Sequence, residues 1–270
     1  MIYDTCRNIF RTVSRKIVMA GSHTKKRGLY EYQEQYQHFY RCMIFLGRNG
    51  IEGDILEYGS ADGTSITMLH STADEMLAQR EKMKFRIFAF DSFEGLPDAT
   101  GLDQQHHTDS TTPGVKFVRG GYSFSQQEVQ KKLDEEIGNT EHISLIKGWY
   151  EDTLTQKLKD DHNIRKASFI NIDCDYYEST KTALNWCKSL IQQGTIISFD
   201  DWYCYKASED LGEMKAFSEF LKENPQLSST PYSQYSWHGQ SFIMSVKETD
   251  VLEEQPQPAA THAKKAEATA

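Results

Sequence analysis

At 270 residues the chain is long enough to bury one sizeable core, and its 38% hydrophobic content is that of an ordinary globular protein. Its 39 acidic side chains against 30 basic ones, a formal charge of −9, exclude a broad nucleic-acid surface, which draws its affinity from clustered Lys and Arg. No apolar run approaches the about 20 residues that span a bilayer, and the front lacks the compact apolar stretch of a secretion signal, so we expect a cytoplasmic protein without membrane insertion.

In chain order, residues 1–27 carry Arg7, Arg11, Arg15, Lys16, Lys25, Lys26 and Arg27 against one acid, Asp4, with Ile9, Phe10, Val13 and Ile17 near helical spacing. This predicts a helix packed on the domain or on a second copy. The stretch to residue 50 extends that helical segment, a cap or the interface of a homo-oligomer. From 51 to 248 strand-like runs alternate with amphipathic helices: strands at 53–59, 84–91, 142–148, 167–173 and 194–201, and helices at 65–80, 126–137, 153–161, 178–192 and 207–223. Such alternation implies right-handed crossovers and a doubly wound, mostly parallel α/β sheet covered on both faces. "SQYSWHG" and "QSFIMSV" then predict an antiparallel C-terminal hairpin, with His238 near its exposed turn. Residues 249–270, rich in Ala, Pro and charge, have nothing to bury and are expected to be disordered. Cys6, Cys42, Cys174, Cys187 and Cys204 are odd in number and form no CxxC, which predicts free thiols rather than a zinc site.

Ligands of open α/β sheets sit beyond the carboxyl ends of the strands. Those ends read Glu57/Gly59, Asp91, Gly148/Trp149, Asp173/Asp175 and Asp200/Asp201. In "EYGSADGTS", Gly59 and Gly63 frame a turn into a helix starting at Thr64 and Ser65, where free N–H groups and close backbone approach suit a small charged cofactor. The G-x-x-x-G spacing is not that of a dinucleotide fingerprint. Asp91, followed by Ser92, stands where such folds carry the acid that holds a ribose; the plain alternative is a turn cap.

Asp173 ends the fourth strand, and Asp200 and Asp201 end the fifth, 27 and 28 residues on. On neighbouring strands about 4.8 Å apart, three such carboxylates would repel unless a cation sat among them, and an oxygen-only set suits Mg²⁺, Ca²⁺ or Mn²⁺. Asp175 is expected instead to cap the helix starting near Tyr177. Tyr176, Tyr177, Trp202, Tyr203 and Trp237 are candidate walls for a substrate, with core packing as the competing use.

The segments "ILEYGSADGTS", "FAFDSFEGLP", "LIKGWYEDTL", "IDCDYYEST" and "GTIISFDDWY", in this order and spacing, resemble the macrocin O-methyltransferase family, class I S-adenosylmethionine enzymes acting on sugar hydroxyls. The resemblance covers roughly residues 30–245. It implies a Rossmann-like seven-stranded sheet. It further implies a cofactor site shaped by Glu57, Gly59 and Gly63 with Thr64, Ser65, Ser92 and Trp149 around it, and Asp91 on the ribose. Asp173, Asp200 and Asp201 match the family's Mg²⁺ ligands, and Asp173 thereby takes part in catalysis. Its general base is a histidine from the segment after the second strand; here that segment, 98–125, holds His106 and His107, of which His107 is our candidate. The implied activity is S-adenosylmethionine- and Mg²⁺-dependent methylation of a hydroxyl on a sugar-bearing or polyhydroxylated small molecule. The alternatives are a nicotinamide-dependent oxidoreductase, against which the G-x-x-x-G spacing counts, and a non-catalytic binding protein of the same fold. A phosphohydrolase with an Asp-x-Asp start is excluded by the order of its motifs.

Overall fold

The computed structural model describes residues 23–106 and 118–247. The first element among the described residues is a helix, α1 (His23–Arg48). Then follow β1 (Asp54–Tyr58), α2 (Thr64–Ala73, continued by a π-helical turn at Asp74–Arg80), β2 (Ile87–Asp91), the short α3 (Gly101–His106), α4 (Gln126–Glu136) and β3 (Ile143–Lys147). The second half runs α5 (Tyr150–Thr153), α6 (Gln156–Asp161), β4 (Ala167–Ile172), α7 (Tyr177–Cys187), β5 (Ile191–Phe199), α8 (Gly212–Glu223), β6 (Leu227–Tyr235) and β7 (Gly239–Val246). The helix expected at 153–161 is two short ones: Thr155 caps the second by accepting from Leu158 N at 3.2 Å.

The seven strands lie in the order β3-β2-β1-β4-β5-β7-β6, parallel except for β7, which runs antiparallel to both β5 and β6. All of β1 and β4 is buried, because both faces of these central strands are covered. Alternation sorts their side chains. Ile55, Ile87, Ala89, Phe169 and Ile196 pack on one face with Phe39, Met43 and Leu46 of α1 and Ile66 and Leu69 of α2. Leu56, Tyr58, Phe88, Phe90, Ile170, Ile197 and Phe199 pack on the other with Leu184 and Trp186 of α7 and Phe217 and Phe220 of α8. At the amino end of the sheet Arg86 donates to both carboxylate oxygens of Asp54, each at 2.8 Å.

Past the carboxyl ends the ladder continues for one more bond between each pair of neighbours. Gly59 N donates to Phe90 O (3.0 Å), Gly148 N to Asp91 O (2.9 Å), Asp173 N to Tyr58 O (2.9 Å) and Asp200 N to Ile172 O (3.0 Å). Five strand ends, those of β3, β2, β1, β4 and β5, are thereby held in a row along one edge of the sheet. Among the described residues no helix is long and apolar enough to cross a membrane. Cys42, Cys174, Cys187 and Cys204 are free thiols; Cys6 and the segments 1–22 and 248–270 lie outside the described residues.

Candidate active site

The first half of the site is built around the turn after β1. Gly59 has φ 89°, and a Cβ there would stand 1.7 Å from the Asp173 carbonyl oxygen, so the ends of β1 and β4 approach closely only because this residue is glycine. Gly63, φ 77°, starts α2 with no side-chain cap, and its own Cβ would meet Val129 Cγ1 of α4 at 2.8 Å. Thr64 is tied down by Asp62, which accepts from its backbone N and its hydroxyl, and by Lys132, whose Nζ lies 2.5 Å from Thr64 Oγ1.

Glu57 lies fully buried beneath this turn. Its Oε1 accepts from Asn171 Nδ2 at 3.5 Å, while Oε2 and the neighbouring Ser60 Oγ have no partner among the described residues. Burial pushes the Glu57 carboxyl up to about 8, opposed by the polar side chains of Ser65, Asn171 and Ser60 around it and with Asp91 adding to the rise. Buried polar atoms left unsatisfied are costly, so a group with donors to offer belongs here.

Asp91 acts as a clamp in this structure. Its Oδ2 accepts from Ser60 N (2.8 Å) and Ala61 N (3.2 Å) and its Oδ1 from Phe93 N (2.6 Å), so it fixes both the β1 turn and its own loop. A carboxylate offers about four lone-pair sites, which leaves capacity for a ligand hydroxyl. Ser92 is occupied locally, its Oγ donating to Gly95 O (2.8 Å) and accepting from Glu94 N (3.0 Å). Trp149 stands half-buried at the end of β3 as the residue preceding α5.

The second half is acidic. Asp173 and Asp175 are half-buried and Asp201 is buried. The carboxyl of Asp173 is driven well above the usual range by burial, then by Asp200, Asp201, Asp175 and Glu57. That of Asp175 is driven up by burial and by Asp201, with which it also shares a hydrogen bond. Asp200 is pushed up to about 6 by burial and by Asp201, with His238 and Tyr235 favouring its charged form. Glu213, in the first turn of α8, completes the group. Its Oε2 accepts from Asp201 N at 2.9 Å, its Oε1 has no partner among the described residues, and burial followed by Asp201 and Asp200 holds its carboxyl high. Tyr122 is exposed on the loop before α4, and its phenol is pushed up to about 12 by burial and then by Asp175, Asp201 and Asp173.

Several expectations are corrected. Asp175 does not cap α7: the N–H groups of Tyr177 and Glu178 are taken by Asp103 of α3, at 2.8 and 3.2 Å, leaving Asp175 at φ 62° with its carbonyl held by Tyr205 OH (3.0 Å) and its carboxyl toward Asp201. His238 is not an exposed turn residue; its side chain is 15% exposed and its Nδ1 donates to the Asp200 carbonyl at 2.6 Å. Of the five aromatics, Trp202 packs among Phe199, Phe217 and Phe242, and Tyr177 is buried with its hydroxyl on Glu219. Tyr176 is buried against Leu96, Tyr203 reaches Gln240, and Trp237 alone of the five is exposed. His107 lies outside the described residues. Asp103, Glu213 and Tyr122 carry no motif of their own; only the fold reveals their place.

Among the described residues no group of three or more His, Cys, Asp or Glu side chains forms a ready metal-binding cluster. The donor set is nonetheless of the kind a hard cation takes: Asp173, Asp175, Asp200 and Asp201 offer oxygen ligands only, and burial together with their mutual repulsion disfavours the charged forms of Asp173 and Asp175. A cavity of about 560 Å³ lined by His70, His142, Phe85 and Arg86 lies at the amino end of the sheet, away from this chemistry.

The sequence profile of the macrocin O-methyltransferase family (TylF) matches residues 32–227. The 8-demethyl-8-(2,3-dimethoxy-α-L-rhamnosyl)-tetracenomycin-C 4'-O-methyltransferase of Streptomyces olivaceus is 24% identical over 161 residues, 60% of this chain and 57% of that enzyme, so the match spans little more than half of the relative's length. The O-methyltransferase NovP superposes with a TM-score of 0.62 at 18% identity over 78% of this chain and 79% of its own. CalS11, a calicheamicin methyltransferase, gives 0.60 at 16% identity over 86% and 90%. An O-methyltransferase from Bacillus cereus in complex with SAH gives 0.50 at 16% identity over 91% of each chain. With the profile covering most of the chain and the strand order matching, the chain belongs to the macrocin O-methyltransferase family and has the fold of the class I S-adenosylmethionine-dependent O-methyltransferases.

Proposed function

We propose that this protein transfers the methyl group of S-adenosylmethionine to a hydroxyl of a sugar-bearing or polyhydroxylated small molecule, with a divalent cation, Mg²⁺, at the acidic cluster. The observation that carries this is the adjacency of the two halves: the Gly59 turn, with the orphaned Glu57 Oε2 and Ser60 Oγ below it, touches the backbone of Asp173. The tetracenomycin relative, named for a rhamnosyl-bearing substrate, supports the acceptor class.

Glu57, Gly59, Gly63 and the start of α2 would hold the amino-acid end of the cofactor, and Asp91 its ribose. Asn171, whose Nδ2 donates to Glu57 Oε1, helps to set the direction of that carboxylate. Asp173, Asp200 and Asp201 would hold the cation. When bound, such a cation orients adjacent hydroxyls and lowers the pKa of the one to be methylated. Methyl transfer is an in-line displacement, so the remaining duty of the chain is alignment and removal of a proton. His107 is our proton acceptor; Asp175 is a second candidate, because Asp103 takes over the capping duty and leaves its carboxyl facing the site. Tyr122 and Trp237 would form the walls of the acceptor site.

Calorimetric titration with S-adenosylmethionine, S-adenosylhomocysteine and NAD⁺ tests the cofactor assignment, repeated for Asp91→Ala, and Mg²⁺ titration of wild type and Asp200→Ala tests the cation. Binding of the two adenosyl ligands that is lost in Asp91→Ala, with a Mg²⁺ signal lost in Asp200→Ala, is expected. Binding of NAD⁺ alone would overturn the assignment.

A further inference from the structure

Behind Asp200 three buried polar groups stand in file, each from a different element. His38 Nε2 on α1 lies 2.9 Å from Ser198 Oγ on β5; Ser198 Oγ donates to Tyr235 OH on β6 at 3.3 Å; Tyr235 OH donates to Asp200 Oδ1 at 3.1 Å. His38 and Ser198 are 0% exposed and Tyr235 1%. The proton positions follow from counting. A charged carboxylate only accepts, so the phenol proton goes to Asp200 and the single serine proton goes to the phenol. Ser198 must therefore accept from His38, which fixes the proton on Nε2. Burial and then Arg41 hold the His38 ring's pKa down to about 3, so it is neutral and has one N–H to give. Cys42 Sγ lies beside the ring, 3.7 Å from Nε2 and 3.8 Å from Nδ1.

The file is held sideways as well. The rings of His38 and Tyr235 stack at 4.0 Å with 8° between planes, and a side chain at Gly239 would strike the Tyr235 ring at 2.2 Å, so the hairpin closes down on it. Gln35, three residues before His38 on α1, adds a contact from its Nε2 to Asp200 Oδ1 at 3.4 Å. Oδ1 is thus committed to the protein, whereas the contact of Oδ2 among the described residues is His238 Nδ1 at 3.5 Å. Apolar side chains would fill this part of the core as well and avoid desolvating three polar groups. What the file adds is direction.

We propose that His38, Ser198 and Tyr235 are positioning residues: they lock the Asp200 carboxylate with Oδ1 turned into the protein and Oδ2 left for the site, which makes α1 part of the catalytic apparatus. The proposal rests on the divalent-cation reading of Asp200 given above. Partners that orient a ligating carboxylate typically change metal affinity by about 10–100-fold when removed.

The test is Mn²⁺ affinity of the full-length chain, followed by calorimetry, with S-adenosylhomocysteine affinity measured alongside. Tyr235→Phe removes one oxygen and keeps the ring on His38. It is expected to weaken Mn²⁺ binding by about 10-fold or more and to leave S-adenosylhomocysteine binding unchanged. Ser198→Ala, which does not touch Asp200, should weaken Mn²⁺ binding less but in the same direction, and Ser198→Thr, which keeps the hydroxyl, should restore it. Unchanged Mn²⁺ affinity in Tyr235→Phe, or a parallel loss for both ligands, overturns the positioning role. Should Tyr235→Phe fail to fold, the Ser198→Ala and Ser198→Thr pair decides by the same criteria. A wild-type chain that binds S-adenosylhomocysteine but no Mn²⁺ overturns the cation reading itself, and the positioning role with it.

Discussion

Glu57 offers the most quantitative check on the site. In an unfolded chain its carboxyl titrates near 4.5; in the folded protein burial first, and Asp91 in addition, push it up to about 8. The folded protein therefore keeps a proton through a range in which the unfolded chain has released it. The sign follows from linkage: Glu57 costs nothing below about pH 4.5, and its cost to stability grows as pH rises toward 8. At about 1.36 kcal/mol per pKa unit, the cost is roughly 1 kcal/mol at pH 5 and roughly 3 kcal/mol at pH 7. Glu57→Gln keeps the shape and never charges, so any fixed cost of the amide is the same at every pH. Urea unfolding of the cofactor-free protein should show the variant gaining about 2 kcal/mol on wild type between pH 5 and pH 7. A stability difference that stays flat over that range would refute a buried, proton-holding Glu57. A companion outcome concerns the cofactor. If its ammonium group is what Oε2 lacks, S-adenosylhomocysteine binding at pH 7 releases a proton from wild type and none from Glu57→Gln, as read by calorimetry in buffers of different ionisation enthalpy.

Two further outcomes separate close packing from local preference. Gly59→Ala and Gly138→Ala start from nearly the same backbone, φ 89° and 87°, but the new Cβ meets Asp173 O at 1.7 Å in the first and nothing within 4 Å in the second. Gly138→Ala should cost about 1–2 kcal/mol and Gly59→Ala upwards of about 4 kcal/mol, measured by urea unfolding; equal costs would contradict the tight β1–β4 junction. Asp103→Ala should destabilise by about 0.5–2 kcal/mol through loss of the α7 cap, whereas Asp175→Ala, which removes a carboxyl crowded by other acids, should not destabilise in the same assay.

Much of the architecture was legible because its causes are local and periodic. Buried runs such as "ASFINI" separated by amphipathic stretches leave few options besides a doubly wound sheet, and Gly59, Asp91, Asp173 and Asp200 could be placed at strand ends by counting along those runs. The short helices α3 and α5 were not legible, since six and four residues carry too little periodicity. The same limit misled the assignment of Asp175. An acid just before a helix is the usual cap, and no rule of spacing signals that Asp103, 74 residues before Tyr177, arrives first. His238 was misjudged for a related reason: a turn residue is normally exposed, and here the hairpin folds back over the end of β5.

The sequence by itself determined the element order, the kind of sheet and which acids could meet, because hydrophobic period, glycine positions and strand-end carboxylates are properties of short stretches. Only the tertiary structure decided how each acid is used. Asp91 became a clamp, Asp103 a cap, Glu213 a buried member of the acidic group, and Asp200 the end of a hydrogen-bonded file from α1. The physical reason is that a carboxylate's role is set by the donors and charges within a few ångströms of it. Apart from Phe93 N beside Asp91, the hydrogen-bond partners named here for those acids come from residues 12 to 165 positions away along the chain, a separation that local sequence does not encode.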